Sequence, residues 1–140
     1  MTPEQIKLVQ TSFAQVAPIA ATAADHFYGR LFEIAPDVRA MFPQDISEQK
    51  KKLMAMLGTV VGGLNRLDTL LPAVRALGQR HAGYGVSTAD YVPVGAALLW
   101  TLQQGLGEAF TPDVKDAWAA AYRTLAQTMI EAARDVPIAA

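Results

Sequence analysis

The sequence predicts an all-α fold of seven or eight helices, packed as one domain over residues 1–140. Three observations carry this. Apolar residues recur at spacings of three and four along most of the chain. The strict alternation of a half-buried strand is nearly absent. Helix-start devices appear at Thr2-Pro3-Glu4-Gln5, Ser87-Thr88-Ala89-Asp90 and Thr111-Pro112-Asp113. Composition agrees: 51% apolar and 18% charged residues suit a packed core rather than a disordered chain. Only 8% of residues are aromatic and Ala is abundant, which favours close helix packing. A chain of this length can bury roughly two-thirds of the surface its unfolded form exposes.

The elements follow in order. Thr2 caps the first helix, Pro3 takes its first position and Gln5 closes a capping box. Ile6, Val9, Phe13 and Val16 form its apolar stripe until Pro18 interrupts it. A second helix spans about Ile19 to Ile34, stopped by Pro36, which opens a short third one ending near Phe42-Pro43. Ser47 is the expected cap of a long helix carrying Leu53, Met56, Leu57, Val60, Val61 and Leu64, and Asn65 and Asp68 mark its end. Leu70, Val74, Leu77 and His81 line the next, closed by Gly83 and Gly85. Asp90 is the cap that accommodates Pro93 in the first turn of a helix through Leu102. Val114, Trp118, Tyr122, Leu125 and Met129 form the last stripe.

Several functions are excluded at this level. There is no cysteine, hence no disulfide, thiolate nucleophile or Cys-held zinc or iron–sulfur site. A net charge of −1 advertises no nucleic-acid partner and no membrane surface. The longest apolar stretch, Tyr91 to Leu102, falls short of the ~20 residues of a membrane span. Lys7 followed by Val16–Ala24 mimics a signal peptide, but Gln10, Ser12 and Gln15 break its apolar run. The expectation is a cytoplasmic protein that keeps its first residue. No HExxH, phosphate-binding glycine loop or GxSxG elbow is present.

Three polar residues stand on apolar rows. His81 ends the row Leu70–Val74–Leu77, Gln49 begins the row Leu53–Leu57–Leu64, and Tyr28 sits among Ala21, Ala24, Leu31 and Phe32. A buried polar side chain costs on the order of 1–3 kcal/mol unless its atoms are satisfied. Three helices each carrying that cost point to a polar object shared between them. Each residue also has a purely structural reading. The histidine can be satisfied within the core, the tyrosine can bond a backbone carbonyl, and the glutamine can serve near a helix start. The residue pattern leaves both readings open. His26, about 200° around the helix from Tyr28, faces solvent or a neighbouring loop. Lys50-Lys51-Lys52 reads as a solvated helix face, and Met41, Met54, Met56 and Met129 as gap-fillers.

The ordered set His26-Phe27-Tyr28 with Leu31-Phe32, Met41-Phe42, Gln49 with Leu53, Gln79-Arg80-His81, Tyr91, and Trp118 with Ala121-Tyr122 resembles the bacterial globins. The similarity is greatest to the globin domain of flavohaemoglobins and to their single-domain relatives, and it covers nearly the whole chain. It implies a globin fold enclosing haem b, with His81 as the proximal ligand of a penta-coordinate iron. The Nδ1–H of His81 would donate to a carbonyl one turn earlier, near Leu77, fixing the ring. Tyr28 and Gln49 match the distal pair that donates to a diatomic gas (O2, NO or CO), and Leu53 the apolar residue above the iron. Phe42 matches the phenylalanine that wedges the haem, Arg80 a cation near a propionate, and Tyr91 a tyrosine behind the proximal histidine.

Two donors imply slow release and high affinity for oxygen, suited to oxygen binding or transport, or to nitric-oxide detoxification. The chain stops at Ala140, so the resemblance implies that electrons come from an external reductase. With such a partner the protein would act as a nitric oxide dioxygenase. A haem-free, globin-like interaction or sensor module is the third reading. The chain departs from the flavohaemoglobin pattern at Ala133, where those proteins place a glutamate against the proximal histidine, with Glu131 close by. Lacking that carboxylate, His81 should be only moderately electron-donating. Ala133→Glu should therefore raise the rate at which the haem-loaded protein consumes peroxide. Glu131→Gln should leave that rate near the parent's, and a large loss would mean that Glu131 already supplies the carboxylate.

Overall fold

Helix starts and stops follow local chemistry. Thr2 Oγ1 accepts from the Gln5 N–H (3.1 Å) while Gln5 Oε1 accepts from the Thr2 N–H (3.0 Å), so α1 (Pro3–Val16) opens with the expected capping box. The 3₁₀ turn Ala17–Ile19 around Pro18 separates α1 from α2 (Ala20–Ile34), because proline cannot donate to the preceding turn. The short helix expected from Pro36 forms as the 3₁₀ turn Pro36–Met41. There follow α3 (Ser47–Gly62), α4 (Leu67–Gly83), α5 (Tyr91–Leu106) and α6 (Pro112–Ala133).

The computed structural model describes residues 1–134; residues 135–140, the end of the expected domain, lie outside the described residues. Among the described residues there are six α-helices, five 3₁₀ turns and no strand, so the structure is all-α as expected. None of these helices is long and apolar enough to cross a membrane.

Two local expectations are corrected. Ser47 is the first residue of α3 rather than its cap. Asp45 organises that start: its Oδ1 accepts from both the hydroxyl (2.6 Å) and the backbone N–H (3.0 Å) of Ser47. A carboxylate is the stronger acceptor, and these two bonds hold Asp45 below its ordinary pKa. On α2, Ala21 is exposed; the inward face is Ala23, Ala24, Phe27, Tyr28 and Leu31. Asp90 stands just before α5 with Pro93 in its first turn, but its carboxylate accepts from the Ser87 N–H (2.8 Å) and closes the capping box of the 3₁₀ turn Thr88–Asp90. Thr111 Oγ1 accepts from the Val114 N–H as read.

The broadest helix contacts pair α4 with α6, α2 with α5 and α1 with α6. Val9, Val16, Phe27, Leu31, Leu57, Leu98, Leu102 and Trp118 form the core between them. Each large apolar side chain so buried contributes about 1.5–3 kcal/mol. The indole N–H of Trp118 donates to Ser12 Oγ (2.8 Å), whose hydroxyl donates to the Leu8 carbonyl (2.6 Å), so this buried polar pair is satisfied. In contrast, α3 and α4 do not pack closely on one another. Each is held mainly by other helices, α3 by α2 and α1 and α4 by α6.

The α4–α6 contact depends on Gly78. A Cβ there would lie 2.5 Å from the Met129 carbonyl oxygen, a backbone atom that cannot swing aside. Gly78→Ala should push α4 off α6 and lower unfolding stability by about 1–3 kcal/mol, read as a shift of the urea midpoint.

Candidate functional site

His81 lies in the last turn of α4, half-buried, with Nδ1 2.9 Å from the Leu77 carbonyl oxygen. A carbonyl only accepts, so Nδ1 carries the proton in this bond and Nε2 keeps its lone pair. Burial is the main influence lowering the imidazole below its ordinary pKa of 6.5, and the Arg80 charge lowers it further. The Leu77 bond partly offsets them. The side chain therefore presents a neutral nitrogen base, the form that binds a metal.

Tyr28, on α2, is buried, and its hydroxyl donates to the Gln49 carbonyl at 3.3 Å. This is the structural partner anticipated for a tyrosine at a helix interface, and the bond is long, hence weak. Desolvation raises the Tyr28 pKa to about 12, so the hydroxyl remains a donor at physiological pH. Gln49, in the first turns of α3, is half-buried, and its Oε1 is buried without a hydrogen-bond partner. An unsatisfied amide oxygen costs about 1–3 kcal/mol. It is the feature of this site that the fold alone does not explain.

Aromatic rings hold Tyr28 in place. Its ring centroid lies 5.0 Å from Phe27, 5.6 Å from Phe42 and 5.9 Å from Phe32, and Phe32 meets Phe42 at 5.5 Å. Phe42 is presented by a clamp that sequence reading missed. Arg39 lies over the Phe32 ring (5.1 Å) and donates to the carbonyls of Phe42 (3.3 Å), Pro43 (2.9 Å) and Gln44 (2.9 Å). No periodicity marks such a residue, because its partners are backbone atoms. One turn after Gln49, Leu53 is half-buried and borders an apolar cavity of about 20 Å³ with Phe27, Leu57, Leu98 and Trp118.

The remaining sequence-picked residues are less tightly engaged. Arg80 is exposed. Tyr91 opens α5, half-buried, and its carbonyl accepts from the Tyr122 hydroxyl (2.6 Å), which fastens α5 to α6. The Tyr122 ring also fills the space above Gly95, where a Cβ would come within 2.7 Å of it. Glu131 is exposed, 3.4 Å from the Gln127 amide, while Ala133 is half-buried. Lys50 is half-buried and pairs with Asp25 (2.8 Å), tying α3 to α2, whereas Lys51 and Lys52 are exposed. The exposed His26 meets the Trp100 ring edge-on at 5.6 Å, so the neighbour it faces is α5.

The structure thus joins Tyr28, Gln49 and Phe42 in one cluster of α2, the following turn and α3. It joins His81 to Leu77 on α4 as a separate pair. Chemically α4 offers one nitrogen ligand, and the α2–α3 cluster offers a phenolic donor with an amide. Among the described residues no three His, Asp or Glu side chains gather to hold a metal ion. A lone imidazole can serve only a metal that brings its remaining ligands with it.

A sequence model of the family described as Globin matches residues 25–129. The flavohemoprotein of Bordetella parapertussis is 32% identical over 133 residues, spanning 93% of this chain and 33% of that protein. The flavohemoprotein of Bacillus subtilis is 27% identical over 134 residues, and the chain spans about a third of both relatives. A bacterial globin from Campylobacter jejuni superposes with a TM-score of 0.80 at 25% identity, covering 95% of this chain and 96% of that one.

Proposed function

This chain belongs to the globin family, and from that premise we propose that it is a haem-binding protein that reversibly takes up a diatomic gas, O2 or NO, with high affinity. The observation that carries the reading is the His81 bond to Leu77, which leaves the Nε2 lone pair free on a neutral ring. The residues present suit haem. The apolar side chains of Phe42, Leu53 and Leu77, all half-buried, suit the flat apolar face of a porphyrin, and the Gln49 amide, whose Oε1 is held by no partner, is free to turn its N–H toward a ligand.

When bound, haem b supplies an iron that coordinates the gas. His81 would ligate that iron, its orientation set by Leu77, and a carbonyl rather than a carboxylate behind it keeps the imidazole moderately basic. Tyr28 would exchange its weak bond to the Gln49 carbonyl for a bond to the gas, which is stronger when the gas carries partial negative charge. The Gln49 amide N–H would be a second donor to the gas. Phe42 and Leu53 would exclude water. Arg80, exposed beside His81 in sequence, would reach a propionate, and Tyr91 would back the proximal side.

One observation favours a second reading. The relatives named flavohemoprotein are about three times the length of the matched region, and their name implies flavin beside haem. We infer from this likeness that a flavin-linked reductase would supply the electrons for nitric oxide dioxygenation by this chain. Sustained NO consumption driven by a nicotinamide-linked reductase distinguishes that activity from gas carriage.

His81→Ala should abolish stable haem retention, measured as loss of the Soret band after gel filtration; a stoichiometric, spectrally unchanged mutant would refute the ligand assignment. Tyr28→Phe removes a donor worth about 1.5–3 kcal/mol to a partly charged ligand, so O2 should dissociate about ten-fold faster or more. CO dissociation, followed in the same stopped-flow experiment, should change little. Equal effects on the two gases would mean that Tyr28 acts through packing.

A further inference from the structure

Arg39, on the 3₁₀ turn Pro36–Met41, spends its guanidinium on the main chain that follows it. Nη1 donates to the carbonyls of Phe42 (3.3 Å) and Pro43 (2.9 Å), and Nη2 to that of Gln44 (2.9 Å). Among the described residues it takes part in no salt bridge, so no carboxylate competes for the fork. The three carbonyls need an outside donor. Phe42 is extended (φ −116°, ψ 149°), as suits a residue before proline, and residues 42–46 belong to no helix. Pro43 has no N–H to offer the turn.

The same guanidinium lies over the Phe32 ring, 5.1 Å from its centroid. Phe32 and Phe42 flank Tyr28, at 5.9 Å and 5.6 Å, and meet each other at 5.5 Å. One side chain thus fixes the backbone of one flanking ring and covers the face of the other. Tyr28 needs such support, because its own hydrogen bond to the Gln49 carbonyl is long at 3.3 Å. The rings, more than that bond, set where its hydroxyl points.

We propose that Arg39 is a positioning residue for gas discrimination: its fork holds Phe42 against Tyr28 and so keeps the Tyr28 hydroxyl where it favours O2 over CO. The inference rests on the haem reading above. A donor held in place gains most from the gas that carries partial negative charge, and a donor free to swing gains less. Lysine is no substitute, since a point charge cannot span three carbonyls as the planar fork does.

The test compares the haem-loaded parent with Arg39→Met and Arg39→Lys, each also made in a Tyr28→Phe background and checked for the same Soret band. O2 and CO dissociation are followed by stopped flow. Arg39→Met should release O2 about three- to ten-fold faster, part of the full loss of the donor, with CO release little changed. Arg39→Lys should match it, because the charge stays and the fork is gone; it carries the comparison alone if Arg39→Met does not retain haem. In the Tyr28→Phe background neither change should accelerate O2 release further, since the effect passes through that hydroxyl. Amide hydrogen exchange on the same samples gives a readout independent of gas. The Phe42 N–H, bonded to the Arg39 carbonyl (3.1 Å), should lose protection while α5 and α6 keep theirs.

Parent O2 rates in both variants, equal acceleration of the two gases, or recovery of the parent rate by Arg39→Lys would overturn the proposal. So would full additivity with Tyr28→Phe, or unchanged exchange at Phe42. A parent chain without a Soret band, or a Tyr28→Phe chain that releases O2 at the parent rate, would instead overturn the haem and donor reading on which the inference stands.

Discussion

The hydrogen bond from His81 Nδ1 to the Leu77 carbonyl, one turn back along α4, decides what the rest of the site can be. It assigns the ring proton to Nδ1 and leaves Nε2 as a base. What that base faces depends in turn on where α4 stands. The helix is pressed on α6 through Gly78 and the Met129 backbone, and it does not close against α3. A side chain in place of the Gly78 hydrogen would separate the two helices and shift His81 with them. One small residue therefore sets where the helix that carries His81 stands.

At the start of α3 and on α2, the site carries incompletely satisfied polar groups. Tyr28 has a partner, but a distant one at 3.3 Å, and Gln49 Oε1 has none. A buried polar group so placed costs about 1–3 kcal/mol. The apolar surroundings sharpen this, because the ring cluster of Phe27, Phe32 and Phe42 keeps the Tyr28 hydroxyl in one place. Arg39 serves the same end from outside by fixing the chain around Phe42 through three carbonyls. The distal wall is thus rigid where it is aromatic and unsatisfied where it is polar.

Much of this was legible in the residues. Capping at Thr2 and Thr111, the Ser87–Asp90 box and the break at Pro18 follow from local backbone chemistry, which a linear sequence states directly. Periodicity placed Tyr28, Gln49 and His81 on inward rows, since position on a helix is a function of residue spacing. Where local signals failed, a stronger neighbour had intervened. Ser47 is not the cap of α3, because Ile46 holds that position and the Asp45 carboxylate, the better acceptor, takes both the hydroxyl and the N–H of Ser47. Pro36 opened a 3₁₀ turn rather than an α-helix.

Sequence by itself determined the all-α class, the inward rows and the choice of residue types able to meet a metal and a gas, because each depends on neighbours three or four positions apart. Only the tertiary structure decided that Tyr28 reaches the Gln49 carbonyl, that Gln49 Oε1 is left alone, and that Arg39 clamps the Phe42 loop. It also decided that Gly78 admits α6. These contacts depend on helix crossings and chain ends, and whether a buried atom finds a partner is set by the distance between elements, which no spacing along the chain encodes.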